Sequence, residues 1–156
     1  MTKFTTQWMT TIFKNFRGLA MDNIDINEVF TDSRKMARNG LFVPIVGENF
    51  DGHHFLQDAI ANGAKAALWQ EDKEVPDSLP QDFPLFIVED TVEGMQKLAS
   101  HYRDPVNPKV IGITGSNGKT TTKDFVAGVI QSTCKTWKTQ GNLNNHIGLP
   151  FTILQM

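Results

Sequence analysis

Apolar positions along the first hundred residues switch between two spacings. Between positions 5 and 17, Trp8, Met9, Ile12, Phe13 and Phe16 recur at helical spacing, which predicts a helix stopped by Gly18. That aromatic stripe reads as a core face. Residues 29–34 then form a short strand running into the polar triplet Asp32, Ser33 and Arg34. A second apolar run over 40–46 predicts a strand, and Pro44 within it marks an edge position or a bulge because proline cannot donate to a ladder. A loop holding Gly47, Asn49, Asp51 and Gly52 follows, then a helix from about 54 to 62 with Gly63 as its terminal glycine. Strands are predicted at 65–69 and 85–88, joined by a charged, proline-containing exposed connection over 71–84. Asp90 and Glu93 stand at capping-box spacing before Val92, Met95, Leu98, Ala99 and Tyr102, a further amphipathic helix.

Pro105 and Pro108 should stop that helix and stiffen a joint over 104–108. Beyond it the apolar run at 109–111 reads as a strand, followed by a glycine-rich turn and a helix with Phe125, Val126, Val129 and Ile130 on one face. Residues 135–139 read as another strand, 140–150 as an asparagine-rich turn, and 151–156 as the start of a helix. The predicted fold is α/β: a small N-terminal α/β domain over 1–103, a linker over 104–108, and the beginning of a phosphate-loop α/β domain over 109–156. Two strands are too little sheet behind such a loop, so the second domain is expected to be truncated.

The strongest chemical signal is Gly112-Ile113-Thr114-Gly115-Ser116-Asn117-Gly118-Lys119-Thr120-Thr121-Thr122. Glycines let the backbone curl so that successive N–H groups point at one anion, and a helix start adds partial positive charge. Thr114, Gly115, Ser116, Asn117, Gly118, Lys119, Thr120 and Thr121 are therefore the expected ATP-binding residues. Lys119 would reach the outer phosphates and act in catalysis, while the Thr120 hydroxyl is placed to ligate Mg2+. The general pattern G-x-x-x-x-G-K-[ST] would put its first glycine at the position of Ile113, so this loop is a variant. The bland alternative is a glycine-rich turn that binds nothing.

Three other segments stay open on composition alone. Asp32, Ser33 and Arg34 supply an acceptor, a hydroxyl and a guanidinium fork suited to phosphate, though composition alone favours a capped turn with a local ion pair. The 47–53 loop can bring backbone N–H groups near a ligand or simply turn the chain. The asparagine turn lies just past a predicted strand end, where open α/β sheets bind ligands, or is an ordinary loop.

Composition excludes several classes. A net charge of −2 over 156 residues gives no support for a nucleic-acid binder. One cysteine, Cys134, rules out an internal disulfide and reads as a half-buried structural thiol suited to a reducing compartment. His53, His54, His101 and His146 show no metal-ligand spacing beyond the adjacent pair. No basic segment with an apolar run opens the chain, and no run approaches the roughly 20 residues that span a bilayer. A soluble, cytoplasmic monomer without membrane insertion is expected.

The glycine loop with its Lys119-Thr120-Thr121 resembles the nucleotide loop of the Mur ligase family, ATP-dependent amino-acid-adding enzymes of peptidoglycan precursor synthesis. Related folylpolyglutamate synthetases typically have Gly-Lys-Gly-Ser there. Thr31-Asp32-Ser33-Arg34 shortly before Gly40-Leu41-Phe42-Val43 is similar to the family's N-terminal domain at the uridine diphosphate end of the substrate. Gly47-Glu48-Asn49-Phe50-Asp51-Gly52-His53 is also similar, with Val46 where a lysine is common. The resemblance implies a UDP-substrate site built from Asp32, Ser33, Arg34, Gly47, Asn49, Asp51, Gly52 and His53. Gly141-Asn142-Leu143-Asn144-Asn145 followed by Ile147-Gly148 and Pro150 favours the branch that adds D-alanyl-D-alanine to UDP-N-acetylmuramoyl-tripeptide, with Asn142, Asn144 and Asn145 on a substrate-facing loop. ATP and Mg2+ are the implied cofactors. The family's acidic magnesium ligand, histidine and modified lysine are expected beyond Met156, so this stretch alone should have little activity. Another member of the family, or a non-catalytic nucleotide-binding module, are the competing expectations.

Overall fold

The computed structural model describes residues 3–141 and 143–156. In chain order the elements are β1 (Phe4–Thr5), α1 (Thr6–Ile12), β2 (Phe16–Arg17), β3 (Asp25–Ile26), β4 (Glu28–Phe30) and β5 (Gly40–Phe42). A 3₁₀ turn (Gly52–Phe55) leads into α2 (Leu56–Ala61), then β6 (Ala64–Gln70), β7 (Leu85–Val88), α3 (Thr91–Val106), α4 (Lys119–Ile130) and α5 (Gly148–Leu154). The chain forms two compact units that divide inside α3, after Leu98.

The first unit is built on a five-stranded sheet in the order β2-β7-β6-β5-β4. β4, β5, β6 and β7 run parallel, and β2 adds an antiparallel edge. Parallel strands are covered on both faces, so they tolerate continuous apolar runs. β6 is such a run: Ala64, Ala66, Ala67, Leu68 and Trp69 are all buried. Its alanines leave room for the large rings of Phe30 and Phe42, whose centroids lie 5.4 Å apart. These residues pack with Leu56, Ala59, Phe83 and Leu85 into one core cluster. β1 and β3 form a separate two-stranded antiparallel ribbon beside it.

The expected helix over 5–17 is shorter than its periodicity. Thr5 caps α1 by accepting from the Trp8 N–H, and Phe13 is already extended. Phe16 belongs to β2, where it pairs with Phe86 across the ladder. Helical spacing of aromatics is thus overridden by a sheet edge that offers hydrogen bonds and a ring partner. Gly18 does mark the turn: its φ is +69°, and a Cβ there would sit 2.3 Å from the Phe83 carbonyl oxygen. The 71–84 connection is not wholly exposed, because Phe83 is buried and Val75 and Leu79 pack on the core.

Glu93 N–H donates to the Asp90 carboxylate at 2.9 Å, as the capping spacing predicts. The stop before Asp104 does not occur. α3 continues through Pro105 to Val106, because the fixed φ of proline is itself helical. The chain turns at Asn107, with φ of +41°, just ahead of Pro108. The strands expected at 109–111 and 135–139 are absent; these segments have no ladder partner among the described residues. Cys134 is exposed rather than half-buried. α5 begins at Gly148, earlier than expected.

Candidate functional site

In the first unit, the predicted ligand segments all emerge at one edge of the sheet. Asp32, Ser33 and Arg34 follow the carboxyl end of β4, and the 43–53 segment follows the carboxyl end of its parallel neighbour β5. Carboxyl ends of parallel strands are where open α/β sheets place ligand crevices. The Arg34 guanidinium donates twice to Asp32, Nε to Oδ1 and one terminal nitrogen to Oδ2, each at 2.8 Å. This bidentate pair holds the Asp32 carboxyl down to about 2. Arg34 remains 86% exposed, so its fork is oriented by Asp32 yet open to an anion. Ser33 is buried, and its carbonyl accepts from Asn62 Nδ2 at 2.8 Å, which pins the turn to the end of α2.

The 43–53 segment is a narrow hairpin-like excursion. Val46 and Asp51 bridge its base, Gly47 N–H donates to the Phe50 carbonyl at 2.9 Å, and Gly52 N–H donates to the Ile45 carbonyl at 2.9 Å. Gly52 is required by close approach: a Cβ would lie 2.7 Å from Ile45 N. Glu48, Asn49 and Phe50 at the tip are exposed. The base is clamped by the neighbouring strand exits. Thr91, after β7, donates its hydroxyl to the Pro44 carbonyl at 2.6 Å.

His53 is 4% exposed, and both ring nitrogens are occupied. Nε2 accepts from the Gln70 N–H at 3.3 Å, so Nδ1 carries the proton that meets Asp51 Oδ1 at 2.6 Å. The ring also stands edge-on to Trp69, with centroids 4.7 Å apart. Burial pushes the imidazole below its ordinary pKa, against the pull of Asp51. Burial acts to raise the Asp51 carboxyl, but the Lys73 ammonium at 2.8 Å and the bonds from His53 outweigh it and hold it well below the carboxylate range. The sequence places Asp51 and His53 with the ligand contacts; in the structure Asp51 bonds His53 and Lys73, and His53 bonds Asp51 and Gln70. Lys73 and Thr91 were missed. Lys73 lies among charged residues of a connection, and Thr91 follows the capping residue Asp90, so neither carried a distinguishing signal.

In the second unit the glycine loop behaves as its composition requires. Gly115 has φ of +147° and Gly118, the N-cap of α4, has φ of +75°. No side chain caps the helix, and Thr122 N–H is the first to bond back, to the Gly118 carbonyl at 2.9 Å. The N–H groups of Lys119, Thr120 and Thr121 thus open the helix at an exposed loop, an arrangement suited to phosphate. Ile113 is half-buried, and Thr114, Ser116 and Asn117 are exposed beside it. Lys119 Nζ spans the loop to the Gly115 carbonyl at 2.5 Å. Among the described residues no cluster of three His, Cys, Asp or Glu could hold a metal.

Lys123, in the next turn of α4, donates to the carbonyls of Thr139 at 2.7 Å and Gly141 at 3.2 Å, tying the asparagine turn to the same helix. Asn145 accepts from the N–H groups of Ile147 at 3.3 Å and Gly148 at 2.7 Å, so its side chain caps the start of α5. Asn144 is exposed, and Asn142 lies outside the described residues. No helix is long and apolar enough to cross a membrane among the described residues.

Comparison with known proteins agrees with this geometry. Residues 25–103 match the family described as "Mur ligase family, catalytic domain", and residues 113–156 match the "Mur ligase middle domain". A UDP-N-acetylmuramoyl-tripeptide–D-alanyl-D-alanine ligase of Bacillus subtilis is 47% identical over 131 residues, covering 84% of this chain and 28% of the relative. The structure of an Acinetobacter baumannii UDP-N-acetylmuramoylalanyl-D-glutamyl-2,6-diaminopimelate–D-alanyl-D-alanyl ligase superposes with a TM-score of 0.79 at 31% identity, over 98% of this chain and 33% of that one. The MurF ligase of Thermotoga maritima, solved in complex with ADP, gives a TM-score of 0.68 at 34% identity, over 82% of this chain and 29% of that one. The chain thus spans under a third of the length of these relatives.

Proposed function

The chain belongs to the Mur ligase family, and we propose that the protein acts as an ATP-dependent ligase joining D-alanyl-D-alanine to UDP-N-acetylmuramoyl-tripeptide. The observation that carries the reading is the glycine loop at the head of α4, with Gly118 at φ of +75° and Lys119 lying across it. The substrate names come from the Bacillus subtilis relative, 47% identical over the matched residues. That the Thermotoga maritima ligase was solved in complex with ADP supports a nucleotide ligand for this chain as well.

A carboxylate resists attack by an amine until one of its oxygens becomes a leaving group. Transfer of the γ-phosphoryl of ATP to that oxygen yields an acyl phosphate and ADP. Attack by the amine of D-alanyl-D-alanine then forms the amide, releases phosphate and frees a proton. The residues of this chain serve the first step. The N–H groups at the start of α4 and the Lys119 ammonium offset charge on the phosphoryl group, where preorganised donors contribute about 3–4 kcal/mol each. A magnesium ion bound to Thr120 and the phosphates would neutralise further charge. Asp32, Ser33, Arg34 and the tip of the 43–53 excursion hold the uridine diphosphate handle. Binding energy from such a remote group is available to orient the reacting carboxylate.

Calorimetric titration with UDP-N-acetylmuramoyl-tripeptide, and separately with Mg-ATP, tests the reading. The chain should bind the UDP compound, and Arg34→Ala should weaken that binding about tenfold through loss of a charge-assisted phosphate contact. Binding of ATP without binding of the UDP compound would remove the substrate role of the first unit and favour a nucleotide-binding module.

A further inference from the structure

We propose that Asp51, His53 and Lys73 are positioning residues which never touch the substrate and instead set the conformation of the Gly47, Glu48, Asn49 and Phe50 tip. The inference rests on the reading that this tip meets the UDP handle. Its grounds are geometric. A ligand-contacting histidine needs a free nitrogen, and His53 has none: Asp51 takes Nδ1 and Gln70 takes Nε2. Asp51 is likewise committed on both oxygens, Oδ1 to the backbone and ring of His53 and Oδ2 to Lys73.

The connectivity gives the set its leverage. Asp51 is half of the bridge to Val46 that closes the base of the excursion. Through His53 it is tied to Gln70, the last residue of β6, and through Lys73 to the turn that follows. Lys73 is itself held, because its carbonyl accepts the Trp69 indole N–H at 3.0 Å. A loop that leaves β5 is therefore braced against the exit of the adjacent strand, and Glu48, Asn49 and Phe50 at its tip are left to face solvent. A cavity of about 400 Å³ opens beside this brace, lined by Asp51, His53, Trp69, Lys73, Glu74 and Asp77.

The brace works only with a neutral imidazole. A proton on Nε2 replaces an acceptor with a donor opposite the Gln70 N–H, and two donors cannot share that contact. The charged groups that bear on the ring are Asp51 and, from the turn after β6, Lys73 and Asp72. Glu74, Asp77 and His54 line the neighbouring cavity. Asp51 and Asp72 favour the protonated ring, while burial and Lys73 oppose it. Protonation of the ring would therefore break the Gln70 contact and release the tip without unfolding the sheet.

The test is titration of the 156-residue chain with UDP-N-acetylmuramoyl-tripeptide from about pH 8 to about pH 5.5, with thermal melting followed in parallel. The pyrophosphate of this ligand is esterified at both ends and does not titrate in that range. Any loss of wild-type affinity toward the acid end should be absent from His53→Gln, which retains an acceptor for Gln70 and does not titrate. Lys73→Met should weaken binding about fivefold at neutral pH with little change in melting, and Lys73→Arg should restore it. Equal affinities for wild type and Lys73→Met, or an acid limb that survives in His53→Gln, would overturn the positioning role alone. Failure of the wild-type chain to bind the UDP compound at about pH 8 would overturn the functional reading, and the inference with it.

Discussion

β6 buries Ala64, Ala66, Ala67, Leu68 and Trp69, whereas α4 leaves Phe125 and Val129 at 72% and 73% exposure. The contrast extends over both units. Of the buried apolar side chains described, only Ala99, Ala127, Pro150 and Leu154 belong to the second unit, which also exposes Val110, Ile111, Trp137 and Leu149. Both units carry apolar periodicity that is easily read from sequence. Among the described residues, the strands against which such a pattern closes all belong to the first unit. Burial is a property of neighbours, and an amphipathic helix facing no sheet gains little from its apolar face. Function follows the same division. The segments proposed to hold the UDP handle are braced by a closed core, whereas the glycine loop rests on backbone geometry local to one helix start.

The largest expected difference between the units is the response to core truncation. Phe42→Ala, in the parallel sheet, should lower unfolding free energy by about 3–5 kcal/mol in urea titrations followed by circular dichroism. A smaller value would mean that the cluster around Trp69 repacks and that the first unit is less close-packed than its burial indicates. Glycine substitution sharpens the comparison next. Gly63→Ala must place a Cβ 1.9 Å from the Ala37 carbonyl oxygen at φ of +104°, and should destabilise by about 2–3 kcal/mol. Gly118 also has positive φ, but a Cβ there meets nothing within 4 Å, so only the local conformational preference opposes a side chain in the second unit.

Acid should weaken the first unit in two stages. The His53 pKa is lowered from 6.5, so the unfolded chain takes up its proton first; that stability is present above 6.5 and declines as pH falls toward the folded value. The lowered Asp51 pKa adds a second loss, which begins below 3.8. Melting temperature measured from neutral pH downward should therefore start to drop near pH 6.5. His53→Gln should remove that first decline, and its persistence would assign the loss to another group. The smallest effect belongs to the exposed face of α4. Phe125→Ala should change stability by no more than about 0.5 kcal/mol in the same urea titration. A loss as large as that of Phe42→Ala would show that this face is covered in solution.

The parts of the molecule legible in sequence were those governed by short-range chemistry. The glycine loop needed only Gly118 at positive φ and a helix opening with Lys119, both local consequences of composition. The Asp90 cap, the Gly63 turn and the buried run of β6 were legible for the same reason. What failed was pairing. Phe16 joined a strand because Phe86 was opposite it, and residues 109–111 formed none because nothing was. The site divides on the same line. Asp32 and Arg34 are two residues apart, and their ion pair was one of the readings composition allowed. The sequence by itself determined which residues could bind phosphate and where the backbone could turn. Only the tertiary structure decided that Asp51 and His53 face inward and that Lys73 joins them. Those partners are set by which strands lie side by side, and no local spacing encodes that adjacency.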